Sequence, residues 1–207
     1  MKKTPRAISA ASAFWRFSLA FYALPGVAEA LIALQDDCGF DVNLILFGLW
    51  LGFSGRGRLD AARLAAAEGA GGPLRAEIVV PLRQLRRRIE PHPEADFRRL
   101  RAAILRLELN AERAVLARLA AAAPSERPAD LPSRRADAQA NFSFYLGAVA
   151  VVRAEAAVVS QAFSAFSATD PAAWPHLLSS RGGRGGSPQR LTVPLSRPNR
   201  SRVRPRV

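Results

Sequence analysis

DDCGFDVNLILFGLWLGFS, residues 36–54, is the most apolar run in the chain. Gly39 stands where a helix can end in the left-handed conformation open to a residue without Cβ. Asp41 stands where a carboxylate can cap the next helix. From Val42 to Phe53 only Asn43 and the indole of Trp50 carry side-chain hydrogen-bonding groups. A helix apolar on every face is buried on every face or lies in lipid. Residues 42–53 rise about 18 Å, short of the about 30 Å of a bilayer core. The stretch is therefore expected to be the central helix of a bundle, and no membrane span is expected.

The flanking sequence fits that centre. Ser12 is placed to cap a first helix reaching about Ala23, with Phe14, Phe17 and Phe21 on one stripe and Trp15, Leu19 and Tyr22 on another. Pro25 suits the first turn of a second helix, on which Val27, Leu31, Leu34 and Cys38 share a face. Connections this short make the first 54 residues a compact three-helix unit, closed by Gly55 and Gly57. A short helix is expected from about Leu59 to Glu68, then a loop through Gly69, Gly71, Gly72 and Pro73. In AEIVVPLRQLRRRIE, Leu82, Leu85 and Ile89 give an inward stripe, with Arg83, Arg86, Arg87 and Arg88 turned outward. Pro81 opens or kinks that helix, and Pro91-His92-Pro93 ends it. Phe97, Leu100, Ile104, Leu107, Ala111 and Ala114 then predict a long helix from Glu94 to about Ala122. Beyond a linker marked by Pro124, Pro128 and Pro132, a last helix is expected from about Arg135 to Phe166.

The fold class read from this pattern is all-α. A single compact helical bundle over 11–168 has its aromatic-rich N-terminal unit packed on two long helices. A flexible N-terminus (1–10) precedes it. A Pro/Gly/Ser/Arg-rich tail (169–207) follows, and its composition predicts disorder. No alternating strand pattern and no internal repeat is present.

Composition narrows the chemistry. The chain has 207 residues, 49% of them hydrophobic, enough for one domain with a sizeable core. One cysteine, Cys38, excludes an internal disulfide and is compatible with a reducing, cytoplasmic setting. With His92 and His176 the whole imidazole supply, a Cys/His zinc site is not expected. The net charge of +13 is uneven, because residues 180–207 hold eight arginines and no acid. MKKTPR and Ala28-Glu29-Ala30 have features of a signal peptide and its cleavage site, but Arg16 interrupts the apolar region between them. The segment is therefore read as the first helix.

FWRFSLAFYALPGVAEALIALQDDCGFDVNLILFGLWLG, residues 14–52, resembles the signature of a proteobacterial family catalogued as a conserved domain of unknown function. The likeness continues through PLRQLRRRI, ELNAER and NFSFYL, over roughly residues 14–165. It implies an all-helical cytoplasmic protein and no particular activity. The Arg-rich tail lies outside the shared part.

The polar residues near the apolar centre are the candidate sites. Asn43 is expected to be a buried amide serving a neighbouring helix end, or else a ligand or partner contact. Asp36 and Asp37 lie in the last turn of the second helix, where a carboxylate is mildly unfavourable unless an arginine pairs with it. The RQLRRR segment, with Arg83, Arg86 and Arg87, can supply one. Glu108 and Glu112 share a helix face, and paired carboxylates can hold a di-iron centre or act as acid and base. No Glu-x-x-His motif accompanies them, so an intramolecular ion-pair network is expected, with no catalytic residue, cofactor or metal. Cys38 falls on an apolar stripe and reads as an inert thiol. Gly69 to Gly72 lacks the flanks of a phosphate-binding loop. GLWLG, residues 48–52, suits close helix packing. RGGRGG at 181–186 resembles RNA-binding Arg-Gly-Gly segments and makes Arg181, Arg184 and Arg190 candidate nucleic-acid contacts.

The leading expectation is a non-enzymatic helical interaction protein with an unknown protein partner, using the groove between the aromatic unit and the Arg-rich helices. The alternative is a nucleic-acid-associated protein using the Arg-rich helix and the tail. The third is an enzyme or small-ligand binder around Asp36, Asp37 and Asn43.

Overall fold

The computed structural model describes residues 10–168. The expectations for residues 1–9 and for the tail, including Arg181, Arg184 and Arg190, lie outside the described residues. The order is α1 (Ala10–Tyr22), α2 (Val27–Cys38), α3 (Val42–Phe53), α4 (Ala61–Leu74), a π-helical turn (Arg75–Val79), α5 (Val80–Ile89), α6 (Ala95–Ala122), α7 (Leu131–Leu146), α8 (Val149–Val152) and α9 (Ala154–Ser167). The described residues hold no strand, so the fold is all-α.

Helix α3 is the centre, as its composition requires: every residue but Asn43 is buried. Gly39 closes α2 at φ 77°, and Asp41 caps α3 by accepting a hydrogen bond from the Asn43 backbone N–H at 2.9 Å. Two expected starts differ. Ser12 lies inside α1, and Pro25 sits ahead of α2, whose cap is Gly26. Helix α1 lays Phe14 on Trp50, ring centroids 4.9 Å apart. Helix α9 closes the aromatic layer with Phe163 and Phe166, which meet Phe21 and Phe17 edge-on at 6.1 and 5.7 Å. Around this unit α6 packs on α1, α7 on α3 and α9 on α2.

Helices α3 and α7 meet closely enough that a Cβ on Gly52 would lie 2.2 Å from the backbone nitrogen of Ala138. Asn141 of α7 pins the same contact. Its amide donates to the carbonyls of Gly48 (3.0 Å) and Gly57 (3.1 Å) and accepts from the Leu59 N–H (2.6 Å).

The structure corrects four expectations. The glycine-rich segment 69–73 is helical, forming the second half of α4. Gly71 there allows α6 to approach, since a Cβ would meet Leu119 at 3.1 Å. The π-helical turn begins two residues after Pro73, which lacks an N–H for the regular ladder. In α5 the faces are partly exchanged: Arg83 and Arg86 are buried and Leu85 is 42% exposed, while Arg87 and Arg88 are exposed as expected. In α6, Leu100 and Leu107 are exposed, and the buried face runs through Glu108, Val115, Leu116 and Leu119. The last two have one cause, because Glu108 and the two arginines turn toward each other. The fourth correction is the last helix, which is three pieces. Gly147 (φ 55°) and the extended Arg153 interrupt it and leave Val151 and Val152 exposed.

No single described helix is long and apolar enough to cross a membrane. Residues 13–22 and 27–38 together meet the length and composition for one, but they are bent by 99° at their join.

Candidate functional site

Antiparallel α5 and α6 face each other through charge. Glu108 is fully buried and receives Arg83 Nε at 3.0 Å and Arg86 Nε at 2.6 Å. Arg83 spends its other two nitrogens on Gln35 of α2 (2.8 Å) and Glu112 of α6 (2.6 Å). With Glu112 ionised, the four charges of Arg83, Arg86, Glu108 and Glu112 cancel. Burial first, and then the neighbouring Glu108, push the Glu112 carboxyl up to about 7, although Arg83 pulls the other way. Outside this core, Arg87 holds Asp36 at 3.2 Å, as the RQLRRR reading expects. Asp37 pairs instead with Arg153 at 2.9 Å, a partner the break before α9 makes available.

Between this cluster and the aromatic unit lies a cavity of about 50 Å³. Its walls are Trp15, Leu19, Val42, Leu46, Leu109 and Leu116, and its polar edge is Ser18, Tyr22, Gln35, Asn43, Arg83 and Glu112. Ser18 is occupied, its Oγ donating to the Phe14 carbonyl at 2.9 Å. Tyr22 is 93% buried, and its Oη is the one atom of that edge that is buried with no hydrogen-bond partner. An unsatisfied buried hydroxyl costs about 1–3 kcal/mol. Burial, then the Glu112 charge, also push its pKa far above the usual phenol range, so the hydroxyl keeps its proton.

The expected trio is only partly assembled here. Asn43 lines the cavity and is half-buried, whereas Asp36 and Asp37 do not line it. The buried amide serving other segments is Asn141, not Asn43. Asp41 does more than cap α3: Arg75 sits 2.9 Å from its carboxylate, and its N–H donates to the Tyr145 hydroxyl at 3.1 Å. Burial raises the Asp41 carboxyl, against the pull of Arg75 and the Asn43 amide. Glu108 and Glu112 are brought together with their arginines, and among the described residues no group of His, Cys, Asp and Glu has the geometry of a metal site. Cys38 is a half-buried free thiol. Tyr22 and Asn141 carried no sequence signal, one sitting on an aromatic stripe and the other beside one.

A second feature lies on the outer flank of α5 and α6. Ile78, Leu82, Leu85 and Ile89 recur at i, i+4, i+7 and i+11, and Leu100, Ile104 and Leu107 at i, i+4 and i+7. At about 100° per residue both rows lie about a quarter-turn from the Arg83–Glu108 seam. In antiparallel helices these offsets fall on the same side. Ile78, Leu85, Leu100 and Leu107 are 42–55% exposed. Arg88, Arg99 and Arg106, all exposed, adjoin them in sequence, and Asp96, which pairs with Arg99, continues the α6 row.

The structure thus defines a small helical protein with a buried ion-pair seam, a partly apolar cavity and an exposed apolar flank. Residues 13–119 match the family described as "Protein of unknown function (DUF2390)", and the chain belongs to that family. The matched span includes every residue that lines the cavity and stops short of α7. No curated protein and no solved structure matches the chain.

Proposed function

We propose that this protein is a non-enzymatic, cytoplasmic helical interaction protein and that it binds its partner on the α5–α6 flank. The supporting observation is the pair of apolar rows there. Leu85, Leu100 and Leu107 on two adjacent helices, with Ile78 in the π-helical turn that leads into α5, stand 42–55% exposed, an apolar patch of the kind that marks interaction sites. Charge selects the occupant. Residues 75–107 carry nine arginines against four acids, and the arginines adjoining the rows in sequence favour an acidic partner over a second, equally basic copy of the chain. The shape suits an amphipathic helix laid along the groove between two helices. The bound partner is therefore an acidic amphipathic helix of another protein. This moves the surface from the groove expected by sequence to the opposite side of the same arginine helices.

The test is affinity capture from native-host extract with full-length protein, with residues 1–179, and with Leu100→Glu/Leu107→Glu, each with and without nuclease. A stoichiometric protein that survives nuclease and truncation and is lost with the double substitution supports the reading. Recovery that depends on nucleic acid and the tail refutes it in favour of nucleic-acid binding, which falls steeply with salt.

A further inference from the structure

We propose that the cavity between α1, α3 and α6 is a binding site for a small uncharged amphiphile. Its apolar body packs against Trp15, Leu46 and Leu109, and its one hydroxyl or amide-type head meets Tyr22 Oη. Three observations converge. The cavity, at about 50 Å³, has room for several waters. Most of its wall is aliphatic or aromatic, and a water needs two to four polar partners to be held well. The Tyr22 hydroxyl is buried without a partner and can both donate and accept. Tyr22 lines the polar edge of the cavity together with Arg83 and Glu112. All three guanidinium nitrogens of Arg83 are engaged, and the ion-pair seam behind it sums to zero charge when Glu112 is ionised. A charged head would enter a buried site with no counter-ion left to receive it, so the ligand is neutral. At about 50 Å³, against about 150 Å³ for a cavity that encloses benzene, the site takes the head and the first atoms of the body, and the rest of the ligand lies at its open mouth. The inference is independent of the partner flank, which lies on the other side of the seam.

Trp15 reports on occupancy. Benzyl alcohol and toluene serve as probes, one with and one without a neutral head, each titrated into the full chain. The indole N–H resonance of Trp15, assigned through Trp15→Phe, is followed by NMR. Benzyl alcohol should shift it saturably, and more tightly than toluene by about 5- to 10-fold, the worth of one hydrogen bond. Tyr22→Phe should erase that preference and leave toluene binding in place. Val42→Phe, which fills the cavity from α3, should remove both. Absence of a saturable shift overturns the proposal, and so does an alcohol preference that survives Tyr22→Phe. The wild-type and Tyr22→Phe comparison decides the matter even where the filling variant fails to fold.

Discussion

Replacing Glu108 by Leu should be among the most damaging single changes in the molecule. The carboxylate is fully buried and receives both Arg83 and Arg86. Arg83 keeps Gln35 and Glu112, but Arg86, 2% exposed, loses the carboxylate that both its bonds reach. Removing one partner of a buried pair costs about 3–5 kcal/mol, because the remaining charge stays desolvated. For a domain of this size that is a fall of roughly 6–20 °C in Tm. Arg86→Met alone leaves Glu108 still held by Arg83 and should cost less, about 1–3 kcal/mol. The double variant Arg86→Met/Glu108→Leu removes the stranded charge and replaces the pair with apolar groups, a change that is often near neutral. It should therefore be more stable than Glu108→Leu alone, with a coupling of at least about 2 kcal/mol in a urea-unfolding cycle followed by helical circular dichroism. If Glu108→Leu costs under about 1 kcal/mol, or the two changes simply add, the buried seam described above is not the one present in solution.

Three further outcomes follow from the same packing. Gly52→Ala should destabilise by at least about 3 kcal/mol, since its Cβ would fall 2.2 Å from backbone. Gly48→Ala, whose Cβ would meet Asn141 at an ordinary 3.5 Å, should stay within about 1 kcal/mol of wild type in chemical denaturation. Asn141→Ala should cost about 2–4 kcal/mol by stranding the Leu59 N–H and the Gly57 carbonyl, and Asn141→Asp, which turns a carboxylate toward two carbonyls, should cost more in the same assay. Glu112 has a folded pKa raised from 4.5 to about 7. Its contribution is fully present below the unfolded value and lost as pH climbs through about 7, an effect on the order of 3 kcal/mol. The Tm of Glu112→Gln relative to wild type should therefore rise by several degrees between pH 5 and pH 8, and a constant difference refutes the assignment.

The elements legible in the sequence were those where composition leaves one solution. A helix with no polar face has to be central, and α3 is. Gly39 and Asp41 have local roles that need no tertiary information, and both keep them. Periodicity failed where charge took the inward side. Leucines at 85, 100 and 107 looked like a core face because a buried Glu108 with two buried arginines costs more than an apolar seam and is rare for that reason. Nothing local announces such a triad, since each member reads as a solvated charge until its partner lies across from it. Gly69 to Pro73 misled similarly: propensity argues for a loop, but a missing Cβ at Gly71 is what lets α6 pack there. The candidate site was legible in its charged members and illegible in its cavity. The hydroxyl of Tyr22 becomes conspicuous only when burial shows it to have no partner.

The most direct test of the partner surface is site-specific photo-cross-linking. A benzophenone amino acid at position 107, and separately at the exposed position 151 of α8, outside the two apolar rows, is activated in living cells, and the cross-linked peptides are sequenced. The account predicts one predominant product from position 107, absent from position 151 and insensitive to nuclease. Its cross-linked segment should be acidic, with apolar residues at helical spacing. Cross-links to the chain's own peptides, to nucleic acid, or equally from both positions would contradict it.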